Sequence, residues 1–188
     1  MHIRRVTALI IFVSLTLASA FAGFSISIPD RDSPWYQVIS TDGDITALDD
    51  DVYYKRWNGL LLDRSSDGMY TVSEDRVGVT VIASGLDLWH ILSTLRLAEP
   101  RTIIIPDASH LNPEDLADYG ISHVVSLKRI SRLQEAMYKA KGVTLTYARP
   151  GDVLEFENGL PVKDTGPEDT LVVICSRCGE QITVRIPR

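Results

Sequence analysis

The stretch VGVTVIASGLDLWHILSTLRLAEPRTIII (77–105) decides the reading of this chain. Val77–Ala83 is a β-branched run of strand length, and Ser84-Gly85 breaks it. Over residues 86–98, Leu88, Ile91, Leu92 and Leu95 recur at i, i+3, i+4 and i+7, which places them on one face of a helix. Pro100 closes that helix, and the Ile run 103–105 has the composition of a buried strand. The cycle returns in SHVVSLKRISRLQEAMYKAKGVTLTY (122–147). Here a Val-rich strand leads to Ser131 and Gln134, spaced as a capping box, and Gly142 stands where the helix must stop. Leu133, Ala136, Met137 and Ala140 form the predicted apolar face of this second helix. Between the two units, NPEDLADYG (112–120) reads as a short helix with Asn112 as N-cap and Pro113 at its first position. Neither long helix is stable alone, so each stripe is expected to lie on a sheet.

Working outward, residues 23–76 read as short strands and turns. FSISI (24–28) and WYQVI (35–39) are candidate strands, and a hairpin turns near Asp67-Gly68. VLEFE (153–157) is expected to pair back on VTLTY (143–147), with a second tight turn at Asn158-Gly159. The remainder, 158–188, reads as a C-terminal β-hairpin. The fold class is therefore α+β: two strand–helix–strand units over 77–157, helices packed on short mixed sheets, with a β-rich region before and a hairpin after.

Residues 1–22 carry a basic start (Arg4, Arg5), an apolar stretch, and small-x-small positions at Ala18–Ala22. This is the pattern of a cleaved export signal, with an N-terminal membrane anchor as the alternative. Its removal leaves 17 basic against 25 acidic residues, a net charge of −8. Such a balance opposes sequence-independent binding to nucleic acid and to anionic lipid, both of which require neutralised phosphates.

Candidate chemistry is sparse. Cys175 and Cys178 lie in a Cys-x-x-Cys between two strand-like runs. A structural zinc site needs four ligands, and His90, His110 and His123 have no matching spacing. A thioredoxin-like site needs the pair at a helix N-terminus. The reading adopted is a disulfide across a tight turn in an oxidising compartment, contributing at most about 2 kcal/mol. Thiol-redox or metal chemistry at the same pair is the alternative. The acids Asp42, Asp44, Asp49, Asp50 and Asp51 suggest a calcium loop, but Val38 and Ser40 would fall where its first carboxylates belong. A solvated acidic loop is the expectation. His90 lies on the polar side of the first helix, whereas Trp89 and Arg96 border its stripe as candidate contact residues. No catalytic spacing or nucleotide fingerprint occurs, so no catalytic, metal or cofactor residue is assigned.

The two units together resemble the short N-terminal domain of secretins and TonB-dependent signalling receptors. The matching features are the helix LDLWHILSTL, the strand ending at Asp107, the helix LQEAM, and Gly142-Val-x-Leu-x-Tyr147. That resemblance implies two helices held between small sheets and a docking role in an envelope machine. The expected function is thus an exported, non-catalytic interaction module of the periplasm or envelope. Its implied partner is a secretin, pilus or TonB-type component, with no cofactor. A membrane-tethered structural subunit remains the alternative if the leader is retained.

Overall fold

A computed structural model of the chain describes residues 23–66, 68–74, 76–83, 91, 93, 99–162, 169–174 and 181–186. The fold is a sheet-dominated α+β arrangement. The strands are β1 (Phe24–Ser27), β2 (Gln37–Ser40), β3 (Ile45–Ala47), β4 (Tyr54–Trp57), β5 (Leu60–Ser66), β6 (Met69–Glu74), β7 (Val77–Ile82) and β8 (Pro100–Ile105). A 3-10 turn (Ala108–His110) and helix α1 (Pro113–Asp118) lead to β9 (His123–Ser126), and helix α2 (Arg132–Ala140) leads to β10 (Thr144–Tyr147). Then come β11 (Val153–Glu157), β12 (Leu160–Pro161), β13 (Asp169–Ile174) and β14 (Gln181–Ile186).

A seven-stranded sheet runs in the order β10-β9-β8-β7-β6-β5-β4. Its β7-to-β10 half is parallel and its β7-to-β4 half antiparallel. A five-stranded antiparallel sheet, β12-β11-β1-β2-β3, covers one face. Side chains alternate along a strand, and the central strands use both faces. Ile104, Val125, Val79, Val81, Tyr70 and Val72 join Phe24, Ile26, Val38 and Phe156 in the core between the sheets. Ile103, Ile105, Val124, Ile82 and Met69 turn the other way, into a core closed by Ala108, Leu116 and Tyr138. Of the helix expected over 86–98, Ile91 and Ser93 are helical, and Ile91 is buried in this second core.

The change of sequence pattern at residue 77 is not a break in the ladders. β6 and β7 pair across it from Glu74↔Val77 to Met69↔Ile82. At the N-terminus, β1 pairs with β11, Phe24 opposite Phe156, and the two rings stack with centroids 5.6 Å apart. The expected pairing of VLEFE with VTLTY is corrected by the same ladder. After Ala148 the chain turns through Arg149–Asp152, where Gly151 takes φ +86° and Asp152 Oδ2 accepts from the Arg149 N–H at 2.7 Å. Ile28 N–H then donates to the Asp152 carbonyl at 2.8 Å, so the strand leaves β10 for the opposite sheet. The expected turn at Asn158-Gly159 is present, both residues having positive φ.

That turn docks on the seven-stranded sheet. Thr102 Oγ1 donates to the Gly159 carbonyl at 2.6 Å. A β-carbon on Gly78 would meet the Val72 carbonyl oxygen, and Ser73 Cβ at 2.7 Å. All of these neighbours sit close to backbone that cannot swing aside. Gly78→Ala should therefore cost about 3 kcal/mol, the scale of forced overpacking. Gly43, at φ +85° with no neighbour within 4 Å, should lose only about 1 kcal/mol as alanine. Urea unfolding of both variants checks this; equal losses would place Gly78 in a looser site than described.

Candidate functional site

The seven-stranded sheet ends at β10, and α2 packs beside this end. Thr144 N–H donates to the Ser122 carbonyl at 2.9 Å and Ala148 N–H to the Ser126 carbonyl at 3.1 Å. Alternate residues of a strand point their backbone groups to opposite sides. The N–H and C=O groups of Leu145 and Tyr147 therefore face away from β9, along an edge that no other strand among the described residues pairs with.

Beside this edge α2 is anchored in a way its sequence did not suggest. The expected apolar face, Leu133, Ala136, Met137 and Ala140, points outward, with Leu133 75% and Met137 48% exposed. The face on the sheet is Gln134, Glu135 and Tyr138. Tyr138 is fully buried, and its hydroxyl donates to the Ala108 carbonyl at 3.0 Å. Gln134 Nε2 donates to the Ser109 carbonyl at 3.0 Å. Tyr147 Oη donates to Glu135 Oε1 at 2.6 Å, and Arg129 lies over the Tyr147 ring at 5.4 Å. One large ring and three polar tips thus hold the helix, which frees the aliphatic stripe. The capping box is as expected: Ser131 accepts from Gln134 N–H while Gln134 Oε1 accepts from Ser131 N–H.

Between α2 and the open edge lies a groove of about 510 Å³, with Val143, Leu145, Tyr138 and Tyr147 among its lining and Glu135 and Lys139 on its helix side. The Tyr147 hydroxyl is raised above the ordinary tyrosine value by desolvation and by its bond to Glu135. It remains a neutral donor. A smaller groove of about 290 Å³ runs on the other side of α2, between Gln134, Met137 and His110.

Charged groups near the strand ends serve the fold. Asp107 caps the 3-10 turn through the Ser109 N–H at 2.9 Å and receives Lys128 Nζ at 2.6 Å. The Lys128 ammonium and Ser109 hold its carboxyl well below the usual carboxylate range. Three of the five acids of the loop are partnered within the chain: Asp44 accepts from Asn58 at 2.6 Å, Asp49 from the Asp51 N–H at 3.1 Å, and Asp50 pairs with Arg64 at 2.7 Å. Among the described residues, no three His, Cys, Asp or Glu side chains are grouped to hold a metal ion. None of the described helices is long and apolar enough to cross a membrane.

Trp89 and Arg96, the expected contact residues, lie outside the described residues, as do His90, Cys175 and Cys178. The Cys-x-x-Cys does fall between two paired strands, β13 and β14. The groove itself was missed by the sequence reading. Its only signal was an uncharged Thr-Leu-Thr-Tyr strand following a helix whose tyrosine lies off the aliphatic stripe. No protein-family model, curated protein or solved structure matches this chain.

Two outcomes follow for stability. Tyr138→Ala should cost about 3–5 kcal/mol, as for a large buried aromatic, whereas Met137→Asp should stay within about 0.5 kcal/mol of the parent. Chemical denaturation of the pair decides which helix face is inside; the reverse order would restore the aliphatic stripe to the core.

His123, with Nε2 3.0 Å from Thr146 Oγ1, has its pKa pushed down to about 4 by burial. Between pH 6.5 and 4 the unfolded chain binds a proton there that the folded chain does not. Its contribution is thus complete above about pH 6.5 and is lost as pH falls toward 4. Stability measured across this window should fall, and His123→Asn should flatten that slope. An unchanged slope would mean that another group titrates.

Proposed function

We propose that this chain is an exported, non-catalytic protein-interaction module of the cell envelope, and that it takes an extended segment of its partner onto the β10 edge. Strand addition of this kind draws affinity from main-chain hydrogen bonds and specificity from alternate side chains in flanking pockets. The observation that carries the reading is the contrast among the four edges of the two larger sheets. β12 has two residues, one of them Pro161, and β3 has three. β4 carries Lys55 and Arg56, a common protection against unwanted pairing. β10 has four residues with neither charge nor proline, and a groove beside it.

Three sequence features support the rest of the reading. The apolar leader supports export, with membrane attachment only through residues 1–22 if they are retained. The acidic balance disfavours nucleic acid as a partner. The resemblance of 77–157 to the secretin N-terminal domain supports an accessory place beside a secretion, pilus or receptor-type assembly. No cofactor enters this reading. Thiol or metal chemistry at Cys175 and Cys178 would be a different function, and it rests on residues outside those described.

Photo-crosslinkers placed at Thr144 and Thr146 in the native cell should link the protein to one defined segment of an envelope component. A crosslinker at Tyr54, on the opposite end of the sheet, should not. The double variant Thr144→Lys/Thr146→Lys, which gives β10 the protection β4 already has, should reduce that capture at least tenfold with the circular dichroism unchanged. Capture through Tyr54 or Trp89 alone would assign the docking surface elsewhere.

A further inference from the structure

Charge is unevenly placed along this chain, and the imbalance falls at the β10 edge. Without residues 1–22 the chain carries 17 basic against 25 acidic residues. From Leu127, just past β9, to Tyr147 at the end of β10, the balance is reversed: five residues are basic and one is acidic. Two of the five basic groups are occupied, Lys128 by Asp107 at 2.6 Å and Lys141 by Glu114 at 2.9 Å. Arg129, Arg132 and Lys139 are exposed and make no ion pair among the described residues.

Two of these cations flank the groove. Arg129 stands over the Tyr147 ring, 5.4 Å from its centroid, at the C-terminal end of β10. Glu135 on α2 is bonded to Tyr147. Lys139, one helical turn further on, lines the groove about 6 Å nearer its Val143 end. Glu135 is the carboxylate in that lining, and its Oε1 already accepts the Tyr147 hydroxyl at 2.6 Å. Leu145, half-buried, lies midway along the strand. From Val143 to Tyr147 is four strand rises, about 13 Å, the reach of a five-residue extended segment.

We propose that the segment taken up by the β10 edge is acidic, with a carboxylate at each end of a five-residue run and an aliphatic side chain at its centre. This rests on the reading of β10 as the docking edge and states the chemistry of its occupant. An added strand turns alternate side chains toward the groove. Its first and fifth residues then lie beside the two cations, and its third lies beside Leu145. A short segment held at the edge feels chiefly the charges within a Debye length, about 8 Å at physiological salt. A bilayer or a nucleic acid meets the field of the whole acidic chain. Phosphate groups also bring no donors for the Leu145 and Tyr147 carbonyls, which a peptide strand satisfies.

The test adds three fluorescent peptides, with the cores Glu-Thr-Val-Thr-Glu, Gln-Thr-Val-Thr-Gln and Lys-Thr-Val-Thr-Lys, to the purified exported protein. Anisotropy titrations should show the Glu peptide binding about tenfold more tightly than the Gln peptide, with the Lys peptide weakest. That margin should shrink as salt is raised to about 0.5 M. Arg129→Glu/Lys139→Glu should reverse the order with the circular dichroism unchanged. Lys55→Glu/Arg56→Glu, an equal change of net charge at β4, should leave the order as it was. The comparison of peptides on the parent protein holds whether or not the first variant folds.

Equal affinity for the Glu and Gln peptides overturns the inference, as does the same reversal in both variants or in neither. Inert peptides would overturn it too, if phosphatidylglycerol vesicles or a second copy of the chain bound instead and were lost in the Arg129→Glu/Lys139→Glu variant. Amide exchange separates this inference from the reading beneath it. If the Glu and Gln peptides slow Leu145 and Tyr147 equally, the docking edge stands and only its charge selection falls. If no peptide slows either amide, both fall.

Discussion

The structure depends on burying the seven-stranded sheet on both faces. Strands β6 to β9 place consecutive residues in two different cores, so Ile103 and Ile104 cannot exchange environments without a full register slip. This explains the near-continuous apolar runs at 77–83 and 102–105, which strands covered on one face do not need. It also explains why the first and last parts of the chain are pinned together. β1 and β11 are neighbours in the covering sheet, and without them Val79, Val81 and Ile104 would face water.

The same constraint creates the open edge. At β10 the double cover runs out: Thr144 and Thr146 are exposed on one face, while Val143 and Leu145 still reach the helix-side core. α2 spans this boundary, and it is held less by apolar area than by Tyr138 and three directed polar bonds. A helix held this way leaves a groove beside the strand rather than closing down on it. The proposed docking role follows from that incomplete closure.

Much of the fold was legible because its signals were local. Asn112, Pro113 and Gly120 bracket α1, Ser131 and Gln134 cap α2, and Asn158-Gly159 turns β11 into β12. Periodicity misled where two patterns competed on one helix. The i, i+3, i+4 stripe from Leu133 to Ala140 is the stronger hydrophobic signal, yet Tyr138 fills more space and brings a hydroxyl to the Ala108 carbonyl. The partner of VLEFE was misread for a different reason. Nearness in sequence favours a hairpin with β10, but the long-range partner β1 offered Phe24 for Phe156. The groove could not be read because it requires knowing which strand is last in the sheet. Trp89, Arg96, Cys175 and Cys178 were chosen on local composition, and their chemistry turns on residues outside those described.

The central claim is that β10 presents an unsatisfied edge to a binding strand. Residue-resolved amide exchange on dilute, single-copy protein tests it most directly. The Thr144, Thr146 and Ala148 amides, bonded toward β9, should exchange slowly, while Leu145 and Tyr147 exchange orders of magnitude faster. On binding of the partner strand, Leu145 and Tyr147 should slow to match their neighbours. Uniform slow exchange along β10 before any binding, or protection gained at β4 and not at β10, would contradict the account.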